Sequence, residues 1–191
     1  MLSILDPHVS DPEVFRACAP ECRTVIRFHD EIEPRAGVRL PEPRHVRAIL
    51  RFGAHLAAVS RRQRSVWAVI NCHMGVSRST AAAAIVLLQR DGIDRPDRVF
   101  AAVLDLRPQA WPNLRMIRLA DDHLRARGRI VAAVGRVYAR QLAARPEIAD
   151  YMRAGGRGEE VDLGYESGAK PNRVYKVRRS LAKASPEKRS R

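Results

Sequence analysis

Two hydrophobic rhythms divide the chain. Short unbroken apolar runs fill its first third, and stripes of helical period dominate the rest. Leu2 to Leu5 is an apolar run stopped by Asp6-Pro7, which reads as a strand at a sheet edge or as an open chain start. Asp11-Pro12-Glu13 has the form of a helix start, with Asp11 as cap and Pro12 in the first turn. Arg23 to Phe28 reads as a strand ending in His29-Asp30-Glu31, and the three prolines and one glycine of 34–43 mark a loop. From Arg44 the period changes: Val46, Ile49, Leu50, Gly53, Leu56 and Ala57 share one helical face, which ends at the basic cluster Arg61-Arg62-Gln63-Arg64.

Val66 to Ile70 is continuously apolar, as expected of a strand buried on both faces. It runs into the polar stretch Asn71 to Thr80, and an Ala-rich helix over Ala81 to Arg90 follows, closed by Gly92. Further helices are predicted from an Asp94 cap to before Pro108, from Pro112 to about Ala126, and over Arg129 to Ala144. In the last of these Val131, Val134, Val137 and Tyr138 form the apolar side. After Gly155-Gly156-Arg157-Gly158 no period survives, so 155–191 reads as a mostly disordered tail behind a domain of residues 1–154. Strands early and helices late give an α/β class: a central, mainly parallel sheet flanked by helices, with a helical C-terminal half.

Composition narrows this picture. With 191 residues, 46% hydrophobic and 29% charged, the chain can bury a core without disulfides and is not wholly disordered. The longest apolar run, Ala81 to Leu88, is too short to span a bilayer, and the first residues carry no basic region or cleavage site. An odd three cysteines in such a chain point to a reducing, cytoplasmic setting. The net charge of +14 is uneven, and residues 170–191 hold nine basic side chains, all four lysines among them, against one acid. That tail is either a solvated segment or a dock for an acidic partner. Nucleic acid is the less favoured partner, and no membrane span is expected.

The chemistry sits where the apolar strand meets the Ala-rich helix. A strand, a short loop and a helix N-terminus aim partial positive charge at one spot. Here Cys72 opens the loop and Arg78 closes it, giving C-x5-R. An anion-binding turn of this kind stabilises a thiolate, and a guanidinium can clamp an oxyanion bidentately. C-x5-R alone is expected roughly 0.5 times by chance in so Arg-rich a chain; adding Gly75, Ser77 and a hydroxyl at 79 lowers this to about one in ten thousand. Gly75 permits a turn that a side chain would block, Ser77 is small beside a ligand, and Ser79 can donate to the Cys72 sulfur.

Cys72-His73-Met74-Gly75-Val76-Ser77-Arg78-Ser79-Thr80 resembles the C-x-x-G-x-S-R-S-T signature of the protein tyrosine phosphatase superfamily, in particular its small dual-specificity-like members. The likeness extends over roughly Leu2 to Leu124 and includes Pro108-Gln109-Ala110-Trp111-Pro112-Asn113. The resemblance implies cysteine-phosphatase architecture, Cys72 as nucleophile and Arg78 as phosphate clamp. It also implies phosphate held by the loop of His73, Met74, Gly75, Val76, Ser77 and Arg78, and neither metal nor cofactor. An Asp general acid is implied on an upstream loop, for which Asp30 is the candidate and Glu31 and Glu33 the rivals. Asn113 resembles the family's Asn that positions water or the Arg loop. Two departures stand out. Asn71 replaces the usual His before the nucleophile, and members carry a further strand before the first one here, so that either the natural start lies upstream or the sheet edge is shortened.

The remaining candidates have plainer readings. His29, His45, His55 and His123 lack metal-ligand spacing and read as surface or satisfied core residues. Cys18 and Cys22 form C-x3-C without further ligands, and read as small apolar residues or as redox partners of Cys72. Trp67 and Trp111 read as core and loop anchors. The expected substrates are phosphotyrosine in proteins or small phosphate esters, with phosphoserine and phosphothreonine as further candidates. The alternatives are a phosphate-binding module with little turnover, or a phosphatase acting on phosphoinositides, nucleotides or RNA 5′-phosphates.

Overall fold

The computed structural model describes residues 1–13, 15, 19–63 and 65–169. Among these residues the chain is mixed α/β, with a three-stranded parallel sheet and seven α-helices. The strands are β1 (Leu2–Leu5), β2 (Thr24–Arg27) and β3 (Ile70–Asn71), in the order β2-β1-β3. Leu2 stands opposite Thr24 on one side and Ile70 on the other. Because all the strands are parallel, their C-terminal ends open on the same edge, where Asp6, Phe28 and Cys72 come together. The helices are α1 (Pro43–Ser60), α2 (Arg78–Asp91), α3 (Pro96–Leu106), α4 (Leu114–His123), α5 (Arg129–Ala144), α6 (Ile148–Ala154) and α7 (Gly158–Glu166).

Helix α2 is the hub of the fold. It touches β1, β3, α1, α3 and α4, which is why every residue from Arg78 to Leu88 is buried or half-buried. Ala81, Ala82 and Ala84 keep its surface flat enough for neighbours on several sides, and Ile85 and Leu88 fill the core. Helix α1 buries Val46, Ile49, Leu50 and Gly53 of the expected stripe, together with His45 and Phe52. Helix α5 has the predicted bounds, and its Val134, Val137 and Tyr138 are buried.

Several expectations are corrected. The run Leu2–Leu5 is the middle strand, not an edge, and all four of its residues are buried. The helix expected from Asp11 falls largely on residues 14 and 16–18, which lie outside the described residues; among the described ones the Asp11 carboxylate is taken by the Arg27 guanidinium, and Phe15 N–H donates to the Pro12 carbonyl at 2.9 Å. Asp94 makes no side-chain cap on α3 and pairs instead with Arg129 at 3.0 Å.

Val66–Val69, expected as part of a buried strand, lies outside the sheet. Only Ile70 and Asn71 join the ladder, the Val69 carbonyl accepts from Leu2 N–H at 2.8 Å, and Trp67 is 92% exposed. An apolar run predicts burial on both faces only for a strand with neighbours on both sides. Among the described residues this one has β1 on one side alone, and the exposed Trp67 is not a core anchor.

The stretch read as the start of a disordered tail is ordered as far as Ala169. Helix α7 packs on α5 and α6, and Val161 and Ala169 enter the core. Gly164 allows the approach, because a Cβ there would sit 2.9 Å from Tyr138 Cβ and 2.7 Å from Leu142 Cδ1. The folded unit therefore extends past 154, and residues 170–191 lie outside the described residues. So does Cys18, and with it the C-x3-C redox reading; Cys22 is an exposed free thiol. Among the described residues no helix is long and apolar enough to cross a membrane.

Candidate active site

The signature loop joins β3 to α2, and its shape follows from its carbonyls being tied outward. The Met74 carbonyl accepts from Arg107 Nη2 at 3.1 Å. The Val76 carbonyl accepts from Trp111 N–H at 2.9 Å and from Thr80 Oγ1 at 2.6 Å. Gly75 supplies the positive φ of +67° that reverses the chain, a conformation L side chains rarely adopt. Among the described residues no amide of 73–77 donates to a backbone acceptor, so these N–H groups are available to an anion at the start of α2.

Cys72 and Arg78 stand at the ends of this loop. The half-buried Cys72 thiol donates to Ser79 Oγ at 3.2 Å. Once the sulfur is ionised, the same hydroxyl can rotate and donate to it. Arg78 is 3% exposed. Its Nη1 donates to Asp6 Oδ1 and to the Phe28 carbonyl, both at 2.7 Å, and its Nε is buried without a partner. A buried, unsatisfied guanidinium N–H is costly. Beside the thiol lies a cavity of about 510 Å³ whose lining includes Cys72, His73, Met74, Ser79 and Arg107.

Asp30 reaches the loop from the end of β2, but it is more tightly held than a mobile loop suggests. Its Oδ1 accepts from Ser77 Oγ at 2.7 Å, from Asn113 Nδ2 at 3.0 Å and from Arg157 Nη1 at 3.3 Å. Ser77, Asp30, Val76 and Arg157 border a second cavity of about 590 Å³, against Tyr151 and Met152 of α6. Its rivals as acid are placed differently: Glu31 is in an ion pair with Arg35, and Glu33 is exposed. Asn113 lies against Asp30. It caps α4 through Met116 N–H at 3.0 Å while its amide serves Asp30.

Asn71 Oδ1 accepts from the buried Ser3 hydroxyl at 2.7 Å. The His73 side chain lies 3.4 Å from Asp6 Oδ2. His45 accepts from Glu42 N–H at 3.0 Å and stacks on Phe28, while His55 and His123 are on the surface. Burial lowers the His45 pKa, with the Glu42 charge opposing.

Three participants escape a reading of the sequence. Asp6 ends β1 beside the strand that carries Cys72, and parallel pairing of the two would have placed it there. Arg157 and Glu160 lie behind the Gly-rich stretch that resembles a linker. Arg157 Nε and Nη2 clasp Glu160 Oε2 and Oε1, both at 2.7 Å, and Nη2 also reaches Ser77 Oγ at 3.0 Å. Burial alone would lower the Arg157 guanidinium, but the Glu160 and Asp30 carboxylates outweigh it and push its pKa up. Burial raises the Glu160 pKa, opposed by the Arg157 charge and by hydrogen bonds from Arg157, Leu114 and Trp111. Four donors on its two oxygens are the surroundings of an ionised carboxylate, so the pair is read as ionic.

Compared with family models, curated proteins and solved structures, the chain has no match.

Proposed function

We propose that the chain is a cysteine phosphatase of the tyrosine-phosphatase type, hydrolysing phosphate monoesters through a phosphocysteine intermediate. One observation carries the reading. The buried Arg78 guanidinium keeps its Nε unpartnered at the end of a loop whose amides are also free and whose first residue is the Cys72 thiol. This is a cradle for a tetrahedral dianion with a nucleophile at its base.

In the proposed reaction the Cys72 thiolate attacks phosphorus in line, and the bond from phosphorus to the ester oxygen breaks. Arg78 and the loop amides stabilise the equatorial oxygens, and Asp30 delivers its proton to the departing oxygen. Water then attacks the phosphocysteine, Asp30 takes up the proton, and the P–S bond breaks to release inorganic phosphate and the thiolate. Ser79 supports the sulfur as it leaves. Phosphotyrosine is the first substrate class, followed by phosphoserine and phosphothreonine, and the cysteine usage suits a cytoplasmic setting.

A second reading rests on Asp30. Three donors on one of its oxygens restrain it, which suits a module that binds phosphate and turns it over poorly. Hydrolysis of para-nitrophenyl phosphate by wild type, Cys72→Ser and Arg78→Lys, with and without vanadate, separates the two. Vanadate-sensitive turnover lost in both variants is expected, since a Lys point charge cannot replace the bidentate fork. Oxyanion binding without turnover in the wild type favours the module, and turnover retained in Cys72→Ser overturns the phosphatase.

A further inference from the structure

We propose that Arg157 is a positioning residue of this site, and that through it α7 forms part of the apparatus that protonates the leaving group. The proposal rests on the phosphatase reading and adds a residue to it. The Arg157 side chain is 11% exposed and serves three partners at once: Ser77 Oγ at 3.0 Å, Asp30 Oδ1 at 3.3 Å and the Glu160 carboxylate at 2.7 Å. Glu160 is fully buried and in turn accepts from Trp111 Nε1 at 2.5 Å and from Leu114 N–H at 2.8 Å.

The contacts close a ring. Trp111 N–H holds the Val76 carbonyl of the loop, Trp111 Nε1 holds Glu160, Glu160 holds Arg157, and Arg157 holds Ser77, the next loop residue. Asp30 hangs on this ring through Arg157 and Ser77, with Asn113 as its third support. A buried salt bridge serving stability alone gains little over apolar packing. This one spends part of its donor fork on a loop serine and on the general-acid candidate, which fixes the carboxylate relative to the cradle. Misplacement of a reacting group by about 1 Å can cost roughly 10²-fold in rate.

The test uses the full chain with Arg157→Lys. Lys still neutralises Glu160, but it lacks the planar fork needed for three partners. Turnover of phenyl phosphate, a poor leaving group, is expected to fall roughly 10²-fold. Turnover of 2,4-dinitrophenyl phosphate, which needs little protonation, is expected to fall far less, and the basic limb of the pH profile should flatten. Inhibition by vanadate should weaken by less than about threefold, because Arg78 and the loop amides remain.

Hydrogen exchange supplies a readout independent of turnover: peptides covering 28–33 and 76–79 should exchange roughly tenfold faster in Arg157→Lys. Equal losses for the two esters would overturn the proposal, as would unchanged exchange at 28–33. Equal rates for wild type and Cys72→Ser would overturn the phosphatase reading and with it the protonation role, whereas unchanged exchange with Cys72-dependent turnover would overturn the role of Arg157 alone.

Discussion

Asn113 and Asp30, 83 positions apart in the chain, meet across a 3.0 Å hydrogen bond in which the Asn113 amide donates to Asp30 Oδ1. The other end of the same side chain accepts from Met116 N–H and starts α4. Helix start and carboxylate placement are therefore one interaction. Asn113→Asp keeps the cap and turns the donor into an acceptor facing Asp30, whereas Asn113→Ala loses both functions. In urea denaturation Asn113→Ala is expected to lose at least the 0.5–2 kcal/mol typical of a cap, roughly estimated. Asn113→Asp should match or exceed the Ala variant in lost turnover, because it sets a second carboxylate against the first.

The proposed role of Asp30 as general acid is tested by leaving group. Asp30→Asn is expected to slow hydrolysis of phosphotyrosine by roughly 10²- to 10⁴-fold, with a much smaller loss for a dinitrophenyl ester. The basic limb of the pH profile should flatten as well. Equal losses would make Asp30 structural and return attention to Glu31 and Glu33.

His45 makes a pH-dependent contribution to stability. Burial lowers its pKa in the fold, so the unfolded chain takes up a proton first as pH falls through about 6.5. The contribution is complete above that value and is lost as pH drops from there towards the folded pKa. Between pH 7.5 and 5.5 the wild type should lose more stability than His45→Asn, by at most about 1.4 kcal/mol per pH unit. Denaturant midpoints of the two proteins across that range measure the difference. Parallel profiles would show that His45 does not titrate there.

The two tryptophans should behave oppositely. Trp111 is 1% exposed, stacks on Tyr138 with centroids 4.8 Å apart and donates to Glu160, so Trp111→Ala should cost at least about 3–5 kcal/mol. Trp67→Ala, at an exposed position, should stay within about 0.5 kcal/mol of wild type. A large loss at Trp67 would mean that the edge of β3 is covered in solution.

What the sequence made legible was local. The Cys72-to-Thr80 spacing located the loop, and the stripe of Val134, Val137 and Tyr138 located α5 with its bounds. Pro112 marked the start of α4 to within two residues. What stayed hidden depended on partners distant in the chain. An apolar run such as Val66–Val69 carries no record of how many strands flank it. Asp6 acquires its place only through the pairing of β1 with β3. Arg157 and Glu160 sit in a stretch whose glycines imitate a linker, yet Gly164 is there so that α7 can lie against α5.

The separation of Arg157 from the residues it holds has a consequence for how the protein is made. Arg157 follows Ser77 by 80 positions and Asp30 by 127. At translation rates of about 5–20 residues per second, roughly 4 to 16 s pass between synthesis of Ser77 and of Arg157. Throughout that interval the nascent chain carries Cys72 and its loop with no brace behind them. Contacts of such long range form late. The geometry around Asp30 is thus completed only once α7 has left the ribosome, and a chain arrested before that point would carry the thiol without the contacts that hold Asp30 beside its loop.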